Sequence, residues 1–167
     1  QTILLNTKKP MQAEHLLLVG LGKSIEITAD KLRQAAGTAA KFAEKSNLKT
    51  VSFFIPANDP ANYISVALSE SNESFAQTVV EGSLLSLHHF DEHKQLAKDK
   101  LSRLKKITLL TSLKSQVSSL RYSASKGQKI TRAVLASRDL ISQPSNIATP
   151  TYLADKAREF AKSFGMT

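Results

Sequence analysis

The chain has 167 residues, 41% hydrophobic and 22% charged, a composition that fits one globular domain long enough to bury a core. It has no cysteine, which excludes disulfides and cysteine-ligated zinc. The formal charge of +9 is concentrated, because ten of the 23 Lys and Arg residues fall between Lys100 and Arg138, a segment without Asp or Glu.

The predicted elements alternate between strand and helix. Thr2 to Leu5 is a short apolar strand, and Lys8-Lys9-Pro10 a turn. His15 to Val19 reads as a buried strand from its near-continuous Leu/Val run. The longest apolar run, Leu16 to Leu21, is far too short to span a bilayer, and no signal-peptide pattern opens the chain. Thr28 is set to cap a helix reaching about Ser46, with Asp30 favourably in its first turn. Leu32, Ala35, Ala36, Ala39, Phe42 and Ala43 form its buried stripe, and Asn47 is its stop. Val51 to Ile55 is a strand ended by Pro56, and Ala57 to Tyr63 a loop. Asn72 is placed to cap a helix reaching about His88, with Ala76, Val80, Leu84 and Leu87 at helical spacing. Lys94 to Lys106 is a charged connection. Ile107 to Thr111 is a third buried strand. Ser115 to Ser125 fits helix or strand equally, and a long helix follows from about Lys126.

That helix should stop at or before Gln143, because Pro144 lacks a donor and clashes with the preceding turn. Thr149 is then an N-cap, with Pro150 at the first helical position and Gly165 as the stop of a helix over 150–164. Since a new element opens and only Met166 and Thr167 follow it, the expectation is a chain cut from a longer protein.

The run Arg138-Asp139-Leu140-Ile141, with Pro144, Asn146, Thr149-Pro150 and Leu153-Ala154, resembles the passage from the N-terminal to the catalytic domain in the leucyl aminopeptidase family. Leu16-Leu17-Leu18-Val19-Gly20-Leu21-Gly22-Lys23 resembles that family's strand and Gly-rich turn. Leu32-Arg33-Gln34-Ala35-Ala36-Gly37 resembles its first long helix in this region. Glu81-Gly82-Ser83-Leu84-Leu85, followed by Phe90-Asp91 and Lys94, resembles its second. The resemblance covers nearly the whole chain. It implies a macro-domain-like α/β fold, a two-metal peptidase as parent, cytoplasmic location and a hexameric assembly. The start resembles a strand some way into the family's domain, so an opening strand and helix are expected to be missing. The family's metal ligands and catalytic groups lie in a downstream motif that nothing here matches, so no catalytic, metal or cofactor residue carries over.

Two constellations compete with that reading. Gly20-Leu21-Gly22-Lys23-Ser24 invites a phosphate-loop reading, but the position that needs the first glycine is Leu17, and Ile25 stands where a dinucleotide fingerprint needs its third. His89-Phe90-Asp91-Glu92-His93 fits His-x-x-Glu-His. On a helix both imidazoles would share one face, with Glu92 as general base and His88 as a further ligand. No third ligand is evident otherwise, and a helix-end surface cluster is the simpler reading. His15 reads as a strand-start residue. No Gly-x-Ser-x-Gly nucleophile turn is present.

The resulting expectation is an α/β fold, a mixed sheet with helices on both faces. Residues 1–143 form a non-catalytic N-terminal domain, and residues 144–167 the hinge and first helix of a catalytic domain. The parent would cleave N-terminal residues from peptides with two divalent metals, Zn or Mn. The partners would be its own catalytic domain and further copies, with no membrane. The alternative is a free-standing basic module holding nucleic acid through residues 100–138. The aromatic ladder of single-strand binders is missing from that segment, where Tyr122 stands alone.

Overall fold

A computed structural model of the chain describes residues 1–9, 11–23, 26–55, 74–94 and 104–165, with only the backbone of Phe164. The expected Ala57–Tyr63 loop, the Asn72 cap, Pro56, Ser24, and Lys100 and Arg103 of the basic segment lie outside the described residues. The chain divides into two compact units, Gln1–Thr131 and Arg132–Thr167.

In the first unit, β1 (Thr2–Asn6) pairs antiparallel with β2 (His15–Val19), from Thr2 opposite Val19 to Asn6 opposite His15. The Thr7 N–H donates to the Glu14 carbonyl at 3.0 Å and Met11 to Lys8 at 3.2 Å, which closes the connection between them. β3 (Thr50–Ile55) pairs in parallel with β4 (Lys106–Thr111), Val51 opposite Ile107. A parallel pair needs a long crossover, and the helix α2 (Phe75–Ser86) lies within it.

α1 (Ala29–Lys45) begins at Thr28, whose hydroxyl accepts the Lys31 N–H at 3.2 Å. It ends in a left-handed residue, Asn47 at φ 55, with Leu48 N–H donating to Ala43 and Asn47 N–H to Glu44, both at 3.0 Å. This reverse turn satisfies carbonyls that the last helical turn leaves open. α1 packs along α2, with lighter contacts to β2 and β3. The buried residues are small: Ala36, Ala39, Ala40 and Ala43 on α1, and Ala76, Val79 and Val80 on α2, with Leu32 and Ile55 the larger ones. Small side chains bring helix axes close, so backbone contact carries much of this packing.

The α/β class holds, with one antiparallel and one parallel strand pair among the described residues. Three local expectations are corrected, and one left open is resolved. β2 is not a buried strand, because Leu16 and Leu18 are exposed, all five β1 residues are exposed, and α1 covers β2 only in part. β4 is half-buried rather than buried. The cap of α2 is Ser74, which accepts the Gln77 N–H at 3.1 Å, and the helix stops at Ser86, short of His88. The ambiguous Ser115–Ser125 segment is helical: a short 3₁₀ turn, Lys114–Gln116, leads into α3 (Val117–Ser142).

In the second unit, α3 ends at Ser142, just before Pro144. The Pro144 carbonyl accepts from Ile147 and Ala148, both at 2.9 Å, forming a turn. Thr149 then caps α4 (Pro150–Phe164), its hydroxyl accepting the Tyr152 N–H at 3.3 Å. Gly165, at φ 64, closes the helix.

Candidate functional site

Among the described residues, Gly20 to Lys23 form an irregular segment that follows β2. β2 ends at Val19, the Gly20 N–H donates to the Gln1 carbonyl at 2.9 Å, and Gly22 takes φ 86, which only glycine adopts freely.

The His-x-x-Glu-His segment loses the helix on which its zinc reading depended. Residues 88–94 follow α2 as irregular chain, so His89 and His93 do not stack four apart on one face. The His89 ring turns to α1, where its Nε2 lies 3.3 Å from Glu44 Oε2. The His93 ring meets Phe90 edge to face with centroids 5.7 Å apart, and Lys94 pairs with Asp91 at 3.2 Å. Among the described residues no three His, Asp or Glu side chains gather in a way that could hold a metal. His15 opens β2 and its Nδ1 lies 3.0 Å from Asn6 Oδ1, across the strand pair.

Of the basic segment, Lys114 precedes α3 and Arg121, Lys126, Lys129, Arg132 and Arg138 lie along it, all exposed. Tyr122 is exposed beside them.

A buried ion pair among the described residues escaped the sequence reading. Glu81, 4% exposed, sits in the middle of α2 with both carboxylate oxygens engaged. Its Oε2 accepts from Arg33 Nε of α1 at 2.8 Å, and its Oε1 from Gln77 Nε2, one turn earlier, at 2.8 Å. Arg33 is partly exposed, so the pair reaches from the core to the surface. Removing one partner of such a pair costs about 3–5 kcal/mol, since it strands a charge in low dielectric. The signal in the sequence was a Gln and a Glu four apart amid Ala76, Val79, Val80 and Gly82, polar residues on an otherwise apolar helix.

Glycines bring the helices together around this pair. A Cβ on Gly82 would stand 2.7 Å from Arg33 Cα, and one on Gly37 would stand 3.0 Å from Ser86 Cβ. On the other flank of α2, a Cβ on Gly127 of α3 would stand 2.9 Å from the Gln77 carbonyl oxygen. α2 is thus held on one side by α1 and touched on another by α3, with eight consecutive buried residues, Ala76 to Ser83. The arrangement can fix helices against one another.

Comparison with known proteins places this geometry. The sequence pattern of the cytosol aminopeptidase family, N-terminal domain, matches residues 1–97. A probable cytosol aminopeptidase of Geotalea uraniireducens is 37% identical over 168 residues, covering 98% of this chain and 31% of that protein. Its counterpart in Geobacter sp. strain M21 is 36% identical over 160 residues, covering 96% and 30%. The chain thus spans about a third of the length of these curated relatives (31% and 30%). Among solved structures, a tomato leucine aminopeptidase mutant matches with TM-score 0.75 at 20% identity, over 99% of this chain and 30% of that one. The bottromycin maturation enzyme BotP in complex with Mn matches with TM-score 0.73 at 23% identity, over 99% and 31%. At those identities the structural likeness speaks to the fold.

Proposed function

The chain belongs to the cytosol aminopeptidase family, as its N-terminal domain, and from that premise we propose that it serves a leucyl aminopeptidase without contributing catalytic groups. The observation that carries the reading is the match of that family's N-terminal domain over residues 1–97. In this reading residues 1–143 are the non-catalytic domain, and residues 144–167 are the hinge and first helix of the catalytic domain. The Pro144 turn and the Thr149 cap support a break after α3, whereas the compact units divide within that helix, between Thr131 and Arg132.

The parent enzyme would remove N-terminal amino acids from peptides in the cytoplasm, as a hexamer. Its two divalent metals, Zn or Mn, would polarise the scissile carbonyl and activate water. The described residues of this chain do not fit such a site, because no three potential ligands converge, and no step is assigned to them. What the chain supplies is a shaped body: helices locked around Glu81 and a helix leading to the hinge. The basic face of α3 leaves a polyanion as a further partner of the parent, but family membership accounts for the domain without it.

The test has two readouts. Pure chain with Zn²⁺ or Mn²⁺ should not turn over Leu-p-nitroanilide, and metal-dependent turnover would refute the assignment. An antibody to this sequence should detect, in source cells, a protein about three times the mass of these 167 residues, given the 31% coverage of a relative. A band at the mass of the chain itself would remove the catalytic-domain partner.

A further inference from the structure

We infer that the Arg33–Glu81–Gln77 array sets the register of α1 against α2, rather than serving chiefly to stabilise the domain. The α1–α2 interface is otherwise built from side chains that interlock poorly. Ala36, Ala39, Ala40 and Ala43 face a helix whose own buried positions include Ala76, Gly82 and Ser83. The alanines alone discriminate weakly between registers: a slide by one turn, about 5.4 Å, would exchange Ala36 with Ala40 and Ala39 with Ala43, so the ion pair and the Gly82 contact are what oppose it. The ion pair has no such substitute one turn away. The α1 residues one turn from Arg33 are Ala29 on one side and Ala36 and Gly37 on the other. In a slipped register Glu81 would remain in the core with one carboxylate oxygen unpaired.

The glycine contacts are tuned to the same register. Gly82 is where the α1 backbone at Arg33 passes, one residue from Glu81, and any neighbour on α2 with a Cβ would strike it. The lock extends to α3 through Gln77, whose side chain holds Glu81 while its carbonyl oxygen receives Gly127. Buried ion pairs are weak contributors to net stability, and fixing register is a well-attested use of them. By contrast, the Lys31–Glu26 pair at 3.0 Å is exposed and has no such consequence.

The test separates register from stability in the whole chain. The single variant Arg33→Met strands the Glu81 carboxylate, and its melting temperature should fall by about 6–20 °C. The double variant Arg33→Met/Glu81→Met removes the stranded charge and should melt within about 5 °C of the parent. Its NMR spectrum should nevertheless show a second set of α1 and α2 amide peaks. The cross-peaks from Gly37 to Gly82 and Ser86, and from Gly82 to Arg33, should weaken at least about twofold. One set of peaks with those contacts intact overturns the inference. If the double variant does not fold, Glu81→Met alone decides by the same peaks, because Arg33 is already partly exposed and can extend to solvent. Lys31→Met is the control and should leave every register contact unchanged; a shift there equally overturns the inference.

Discussion

Replacing Gly82 by alanine tests whether the helix pair is held by backbone contact. In an ordinary helix interior this change stabilises by about 1 kcal/mol, because alanine loses less backbone entropy. Here the new methyl would lie against the Arg33 backbone, nearest its carbonyl oxygen and 2.7 and 2.8 Å from its Cα and carbonyl carbon. Those atoms belong to a helix and cannot rotate aside, so α1 and α2 must separate by roughly 1 Å, which forfeits a quarter to a half of each affected dispersion contact. Overpacking of this kind costs about 1–3 kcal/mol. Taking the upper end and subtracting the helix gain leaves a net loss of about 2 kcal/mol, or about 4–8 °C in melting temperature.

Gly37→Ala is the matched comparison. Its methyl would meet Ser86 Cβ at 3.0 Å and the Gly82 carbonyl oxygen at 3.1 Å, a squeeze that the terminal turn of α2 can relieve. There the helix gain and the squeeze should cancel to within about 0.5 kcal/mol. Because the chain has two compact units, native-state hydrogen exchange of α1 and α2 amides is the assay that isolates the effect. A Gly82→Ala chain protected as well as Gly37→Ala would refute the close-contact argument.

Three further outcomes are expected. Thr149→Ala removes the hydroxyl that caps α4, and the Tyr152 amide should exchange about fivefold faster, the equivalent of about 1 kcal/mol. Ile55→Ala, at a position 3% exposed, should cost about 2–5 kcal/mol by urea unfolding, whereas Phe54→Ala, 62% exposed, should cost clearly less than half as much. Zinc titration by calorimetry should show no stoichiometric site, and His89→Asn with His93→Asn should change nothing, since the two rings are committed to Glu44 and Phe90.

What was legible in the sequence was local. Thr28, Thr149, Pro150, Asn47 and Gly165 announced helix ends because a cap or a left-handed residue acts within one turn of its own position. The motif at residues 138–154 was legible because it is specific, and it pointed to the family that the N-terminal match supports. The α2 cap was misplaced by two residues because Asn72 and Ser74 are equally good oxygen acceptors, and the choice depends on where the chain enters the helix. Segment 115–125 stayed ambiguous because its apolar residues are few, and it became helix by continuing α3. The Glu81 pair was illegible for a different reason. The apolar neighbours of Glu81 hinted at its burial, but Arg33 is far from it in sequence and no local rule joins the two.

Strand burial failed by the same distinction, and the failure bears on function. A run such as Leu16-Leu17-Leu18-Val19 specifies a strand by composition, but burial depends on what lies over it. On β1 and β2, Ile3, Leu4, Leu5, Leu16 and Leu18 remain exposed, and so do Phe54 and Leu110 on the parallel pair. Contiguous exposed apolar surface of this kind is costly in water. A helix pair locked by Glu81 and two glycines does not move to cover it, because its backbones are already in contact. The stiffness of α1 and α2 and the exposure of the strands are therefore two aspects of one design. The helix pair touches β2 and β3 only lightly, and so it leaves the apolar faces of the strands open.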